Sequence, residues 1–232
     1  MANIELFLSC EHGGNQIPGR YEPLFADAGE VLGTHRGFDL GALPLFRLCE
    51  KELGPAFSIY SETCRLLVDL NRSLHRRSLF SEWTKKLSKE EKQQILEMHY
   101  HPYRQAFKQA LDRCVARGNR VLHLSVHSFT PVLNGVVRNT DIGILYHPGR
   151  PWEKIFAARW KQTLKHHLPG MKVRYNYPYL GKPDGHVAIH RKAYPDPVYA
   201  GIELELCHKF AFDQTVYRGI VDSLEELKRE GY

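Results

Sequence analysis

Short apolar runs alternate with amphipathic stretches along this chain, and that alternation restricts its fold more than any other feature. Ile4 to Cys10 reads as a buried strand carrying Leu6, Phe7 and Leu8. Leu40 to Leu53 reads as a helix, because Leu40, Leu43, Phe46 and Leu53 recur at a helical period. Phe57 to Tyr60 and Leu66 to Leu70 are strand candidates. Ser88-Lys89-Glu90-Glu91 has the form of a capping box, and Ile95, Met98, Phe107, Leu111 and Cys114 continue it as a helical stripe. Pro102 falls inside that stripe and predicts a kink or a division into two helices. Val121 to Val126 and Asp141 to Tyr146 are expected strands, and Glu153 to His167 is a helix stopped by Pro169-Gly170. Val198 to Leu206 is a late strand, and Thr215 to Arg229 a closing helix. Strands interleaved with helices predict an α/β fold, a mixed or mostly parallel sheet covered on both faces. Ligands of such sheets sit beyond the carboxyl ends of the strands, where this chain places its polar clusters.

At 232 residues, 43% apolar and 25% charged, the chain is expected to form one domain spanning residues 1–232. No stretch approaches the ~20 apolar residues that a membrane crossing needs, and the first residues lack a basic segment before a long apolar run. The five scattered cysteines form no CxxC pair and suit reduced thiols, so the expected location is the cytoplasm. The net charge of +6 fits a generic basic surface or the attraction of an anionic ligand. No nucleic-acid-binding signature accompanies it. The expected partner is therefore a small molecule, with no nucleic acid and no membrane. Nothing in the sequence sets an oligomeric state.

His12 and His127 each follow an apolar run directly. Two histidines at two strand ends can meet at one edge of a sheet, and catalytic zinc commonly uses three His, Asp or Glu ligands with one position left for water. A satisfied core histidine is the alternative for each. The third ligand has two candidates. Asp39 stands at a helix start, where an N-cap role competes. Glu11 adjoins His12, but neighbouring strand residues point to opposite faces. Arg65 and the pair Asn71-Arg72 suit recognition of a carboxylate and stabilisation of an oxyanion. Gly201-Ile202-Glu203-Leu204-Glu205-Leu206 alternates strictly, so Glu203 and Glu205 share one strand face, and either can serve as general base. A solvated edge strand is the plainer reading of that pair. Ser128 closes the His127 strand, and the Pro- and Gly-rich loops at 129–135 and 177–186, the latter carrying Tyr179, are candidate pocket walls. No GxSxG elbow, Walker loop or GxGxxG turn competes with these groups.

In order along the chain, Ser9 to Pro18, His35 to Ala42, Cys64 to Arg72, His101 to Arg104, His127 to Pro131 and Gly201 to Glu205 resemble the segments of the N-formylglutamate amidohydrolase family. That family is similar to zinc carboxypeptidases and aspartoacylases. The resemblance implies a three-layer α/β/α fold with a central mixed, mostly parallel sheet, and zinc-dependent hydrolysis of an N-formyl or N-acyl amino acid. It implies His12 and His127 as zinc ligands, Arg65 polarising the scissile carbonyl, and Asn71 and Arg72 on the substrate carboxylate. It also implies a base from the late strand, Glu205 ahead of Glu203. Ser128 and Tyr179 join the substrate-binding candidates. One departure stands out: the carboxypeptidase-like pattern has a ligand Glu three residues after the first His, where this chain has Asn15. The third ligand is therefore assigned to Asp39, with Glu11 as alternative. A non-catalytic protein on the same fold, sensing a small carboxylate metabolite, is the competing function.

Overall fold

The computed structural model describes residues 3–232. A six-stranded sheet forms its centre, built from β1 (Ile4–Cys10), β2 (Phe57–Tyr60), β3 (Arg120–Phe129), β6 (Ile142–Leu145), β7 (Val173–Tyr175) and β8 (Tyr199–Cys207), in the order β2-β1-β3-β8-β6-β7. Four of its five pairings are parallel, and only β6 against β8 is antiparallel. A separate hairpin, β4 (Val132–Leu133) with β5 (Val136–Val137), projects after β3. The helices are α1 (Gly29–Leu32), α2 (Ala42–Leu53), α3 (Lys89–Ile95), α4 (His101–Ala116), α5 (Pro151–His167), α6 (His186–Ala193) and α7 (Gln214–Arg229). Among the described residues, no helix is long and apolar enough to cross a membrane.

The strands' period of two divides the sheet into unlike faces. Leu6, Leu8, Leu122, Leu124, Ile202 and Leu204 all point one way, into the main core shared with α2, α5 and α7. Phe7, Val121 and Tyr199 point the other way and pack beneath α4. Further along that second face stand Ser9, His123, Ser125, His127, Glu203 and Glu205. Helices on both faces give three layers, as the alternation predicts.

Several local expectations hold. Ser88 and Glu91 form a reciprocal capping box on α3. Pro102 opens α4 after a π-type turn at Leu96–Tyr100, which is the division that its ring requires. One expectation fails: Leu66 to Leu70 is not a strand but a succession of turns. Its apolar side chains are buried in a satellite core with Tyr21, Phe25, Leu79, Ile95 and Tyr103, so burial without a strand partner produced the apolar run. The helix α6 and the strand β7 were not anticipated.

Candidate metal centre and cavity

The chain turns sharply after β1, and the backbone N–H of Asp39 donates to the carbonyl of His12 at 2.9 Å. This bond sets the loop before α2 against the end of β1. Asp39 does not cap that helix: the N-cap position is Gly41, with no side-chain cap bond. The carboxylate instead accepts from His127 Nδ1, 2.8 Å from Oδ2, and the same oxygen lies 3.4 Å from His12 Nδ1. His12, Asp39 and His127 are all buried, and their ligand atoms lie within 4.8 Å of one another. His12 Nδ1 has no hydrogen-bond partner. Asn15 is directed elsewhere, its amide donating to the Leu32 carbonyl at 3.0 Å.

The far ring nitrogens are held by a second pair of carboxylates. His12 Nε2 lies 2.7 Å from Asp69 Oδ1, and His127 Nε2 lies 3.0 Å from Glu11 Oε2. Asp69 also accepts from Arg65 at 3.0 Å and from the Asn71 backbone at 2.9 Å. Glu11 accepts from Ser125 at 2.6 Å and from Tyr103 at 2.9 Å. Arg65 reaches Asp39 as well, at 3.3 Å, and so spans two of the carboxylates. Carboxylates on the outer nitrogens fix the orientation of imidazole ligands and raise their basicity.

Burial alone would push all three of these acids up. For Asp39 the neighbouring His12 and His127 outweigh burial, for Asp69 Arg65 and His12 do so, and for Glu11 His127 does so, leaving each carboxyl well below its usual range. Burial pulls the His127 imidazole down, but Asp39 and Glu11 on its two nitrogens raise it well above the ordinary value. The two carboxylates therefore favour the charged form of His127.

Above the centre lies a cavity of about 550 Å³. All ten sequence-predicted site residues line it: His12, Asp39 and His127, then Glu203 and Glu205, then Arg65, Asn71, Arg72, Ser128 and Tyr179. The strand carrying the glutamates is internal, between β3 and β6, so the solvated-edge reading does not apply. Glu205 pairs in register with His127, and its Oε2 is buried without a partner. Burial pushes the Glu205 carboxyl up to about 8 and raises Glu203 as well. Asn71 Oδ1 accepts from the His186 backbone N–H, and its Nδ2 lies 3.4 Å from His127 Nε2. Ser128 is likewise engaged, donating to the Leu40 carbonyl at 2.8 Å. Arg72 donates to the Asn71 carbonyl at 2.9 Å and, among the described residues, has no carboxylate within 4.0 Å.

Tyr179 stands half exposed on the rim, its hydroxyl accepting from Arg138 at 3.0 Å. Its loop is a fixed wall. Asn176 Oδ1 accepts from the backbone N–H groups of Tyr146 and Gly181, and a Cβ on Gly143 or Gly181 would collide with Tyr177 or Tyr146 backbone atoms. Leu145 in the lining, and Asp69 as the partner of His12 Nε2, were missed in the sequence. A signal for Asp69 was present, since an acid flanked by buried apolar residues is costly unless paired. A second group of metal-binding type, His166, His167 and Glu226, lies partly exposed where α5 meets α7, away from this cavity.

A family model described as N-formylglutamate amidohydrolase matches residues 4–211. No curated protein matches the chain. Among solved structures, a gene product of Agrobacterium tumefaciens superposes with a TM-score of 0.77 at 24% identity, covering 98% of this chain and 90% of that one. The N-formylglutamate amidohydrolase of Ralstonia eutropha JMP134 superposes with a TM-score of 0.71 at 16% identity, covering 100% of this chain and 96% of that one. At such identities these two likenesses establish the common fold.

Proposed function

The chain belongs to the N-formylglutamate amidohydrolase family, and from that premise we propose that it hydrolyses the amide of an N-formyl or N-acyl amino acid, using zinc held by His12, Asp39 and His127. Amide hydrolysis is the family's activity; the metal and the substrate are our reading. One observation carries it: the buried, unpartnered Nδ1 of His12 faces Asp39 Oδ2 and His127 Nδ1, while both outer ring nitrogens rest on carboxylates. Buried bare ring nitrogens also occur at His186 and His190; what distinguishes His12 is that Asp39 and His127 present ligand atoms beside it. Two imidazoles and one carboxylate suit zinc and leave positions for water and substrate. Glu11, the other candidate ligand, fits better as the outer partner of His127.

Zinc bound there would supply Lewis acidity, acidifying water and drawing charge from the scissile carbonyl. The remaining work falls to the chain's own groups. Glu205 takes up a proton at its unpartnered oxygen and passes it to the leaving amine, a task that suits a carboxyl which burial pushes up to about 8. Arg72, with no carboxylate partner, receives the carboxylate of the substrate. Arg65 holds Asp39 and Asp69 in place and presents its remaining donor surface to the cavity, where oxyanion charge develops. Asn71 ties α6 to the His127 site. Zinc-loaded protein is expected to release formate from N-formyl amino acids, and chelated protein is not. Absence of release across a panel of N-formyl and N-acyl amino acids, with zinc bound, would overturn the proposal.

A further inference from the structure

The cavity contains fewer free cations than its guanidinium groups suggest. Arg65 is neutralised by Asp39 and Asp69, and Arg76 pairs with Asp184 at 3.3 Å. Arg72 is the lining guanidinium left without an acid among the described residues. His35 is no substitute, because burial and the nearby Arg138 and Arg36 pull its imidazole down and favour the neutral form. The lining also carries the carboxyl groups of Glu203 and Glu205, which add no cation. A substrate with one carboxylate finds its counter-charge at Arg72. A second carboxylate would find no unpaired guanidinium among the described lining residues.

The opposite chemical character is supplied by β6 and the loop after β7. Leu145 pairs in register with Glu203 on the same sheet face, and Phe129 extends that face one step beyond His127. Pro178, Leu180 and Pro183 continue the apolar wall, held rigid through Asn176 and Gly181. At about 550 Å³ the cavity has room for far more than a formyl group.

Resting on the amide-hydrolase reading above, we infer that the substrate is a monocarboxylate, an N-acyl amino acid with a bulky apolar side chain, rather than a dicarboxylate such as N-formylglutamate. Arg72 fixes its carboxylate, and Phe129, Leu145 and Leu180 receive its side chain. Leu180, exposed on the rim, is the residue whose replacement changes the choice without disturbing the core.

Two measurements separate this inference from the reading beneath it. The first is calorimetric binding of N-acetyl-L-leucine and N-acetyl-L-glutamate to metal-free protein, where no turnover intervenes. The second is formate release from N-formyl-L-leucine and N-formyl-L-glutamate by zinc-loaded protein. The leucine compound is expected to lead by at least about tenfold in both, because an unpaired carboxylate is poorly tolerated in a partly buried site. Leu180→Lys is expected to narrow that gap by adding a cation to the apolar wall. Equal or tighter binding of the glutamate compound, or binding of neither, overturns the inference. Release of formate from neither compound, with leucine still preferred in binding, overturns the hydrolase reading and leaves the ligand preference standing.

Discussion

The two faces of the central sheet are made by the same strands and share almost no chemistry. Toward α2, α5 and α7, positions such as Leu8, Leu124 and Leu204 are wholly buried among aliphatic neighbours. One residue along, Ser9, Ser125 and Glu203 point the other way, into a layer that includes Glu11, His123 and His127. A buried apolar face stabilises through area removed from water. A buried polar face contributes little net stability and is tolerable only while its groups are paired. The contrast implies that stability and chemistry are separable at alternate residues of single strands.

The strongest test of that separation contrasts two residues of β3. His127→Ala is expected to remove one metal ligand and to lower amide hydrolysis by roughly a thousandfold or more, in line with the loss of a principal electrostatic catalyst. Circular dichroism should show the fold retained. Leu124→Ala, three residues earlier and on the other face, is expected to cost about 2–5 kcal/mol, or roughly 5–15 °C in Tm, with kcat close to that of the unaltered protein. Loss of zinc in the leucine variant while it remains folded would break the proposed independence of the faces.

Smaller effects sharpen the picture within the polar layer. Asp69→Asn and Glu11→Gln keep shape but weaken the grip on the outer nitrogens of His12 and His127. Each is expected to lower zinc affinity by about 10- to 100-fold, measured by chelator competition. The smallest effect concerns Glu205 in metal-free protein. Burial raises its carboxyl from the ordinary 4.5 to about 8, so the folded chain binds this proton more tightly than the unfolded chain does. That contribution is fully present below the unfolded value and is lost as pH rises through 8. Glu205→Gln, which cannot ionise, should therefore raise Tm by several degrees more at pH 8.5 than at pH 4.5. An equal change at both values would show that Glu205 is not a buried acid of this kind.

The apolar face was the easier to foresee. Aliphatic residues at alternate or successive positions identify β1 and β8 closely, because burial on that side demands nothing but hydrophobicity. The turns at Leu66 to Leu70 show the weakness of the same signal, since an apolar run records burial and not hydrogen bonding to a neighbouring strand. The short α6, with His186, His190 and Arg191 buried, lacks the amphipathic stripe that would reveal it. On the polar face, residue type, position at expected strand and helix ends or in a loop, and the family resemblance together singled out ten candidates, all of which line one cavity. The division of labour among its acids was not readable. Glu11 follows the alternation onto the face of Ser125, while the turn after Cys10 brings His12 round to the same centre, which strand geometry alone would forbid. Asp39 and Asp69 each stand beside apolar residues at a turn, and only the fold shows that one faces the inner nitrogens and the other an outer one.

The central claim is that His12, Asp39 and His127 together hold zinc, and X-ray absorption at the zinc edge of protein loaded with one equivalent tests it most directly. A His166→Ala/His167→Ala background removes the surface group as a competing site. The account predicts a first shell of nitrogen and oxygen alone at about 2.0–2.1 Å, which loses its imidazole signature stepwise in the His12→Ala and His127→Ala variants. A spectrum unchanged by both substitutions, or a sulfur shell near ~2.3 Å, would contradict it.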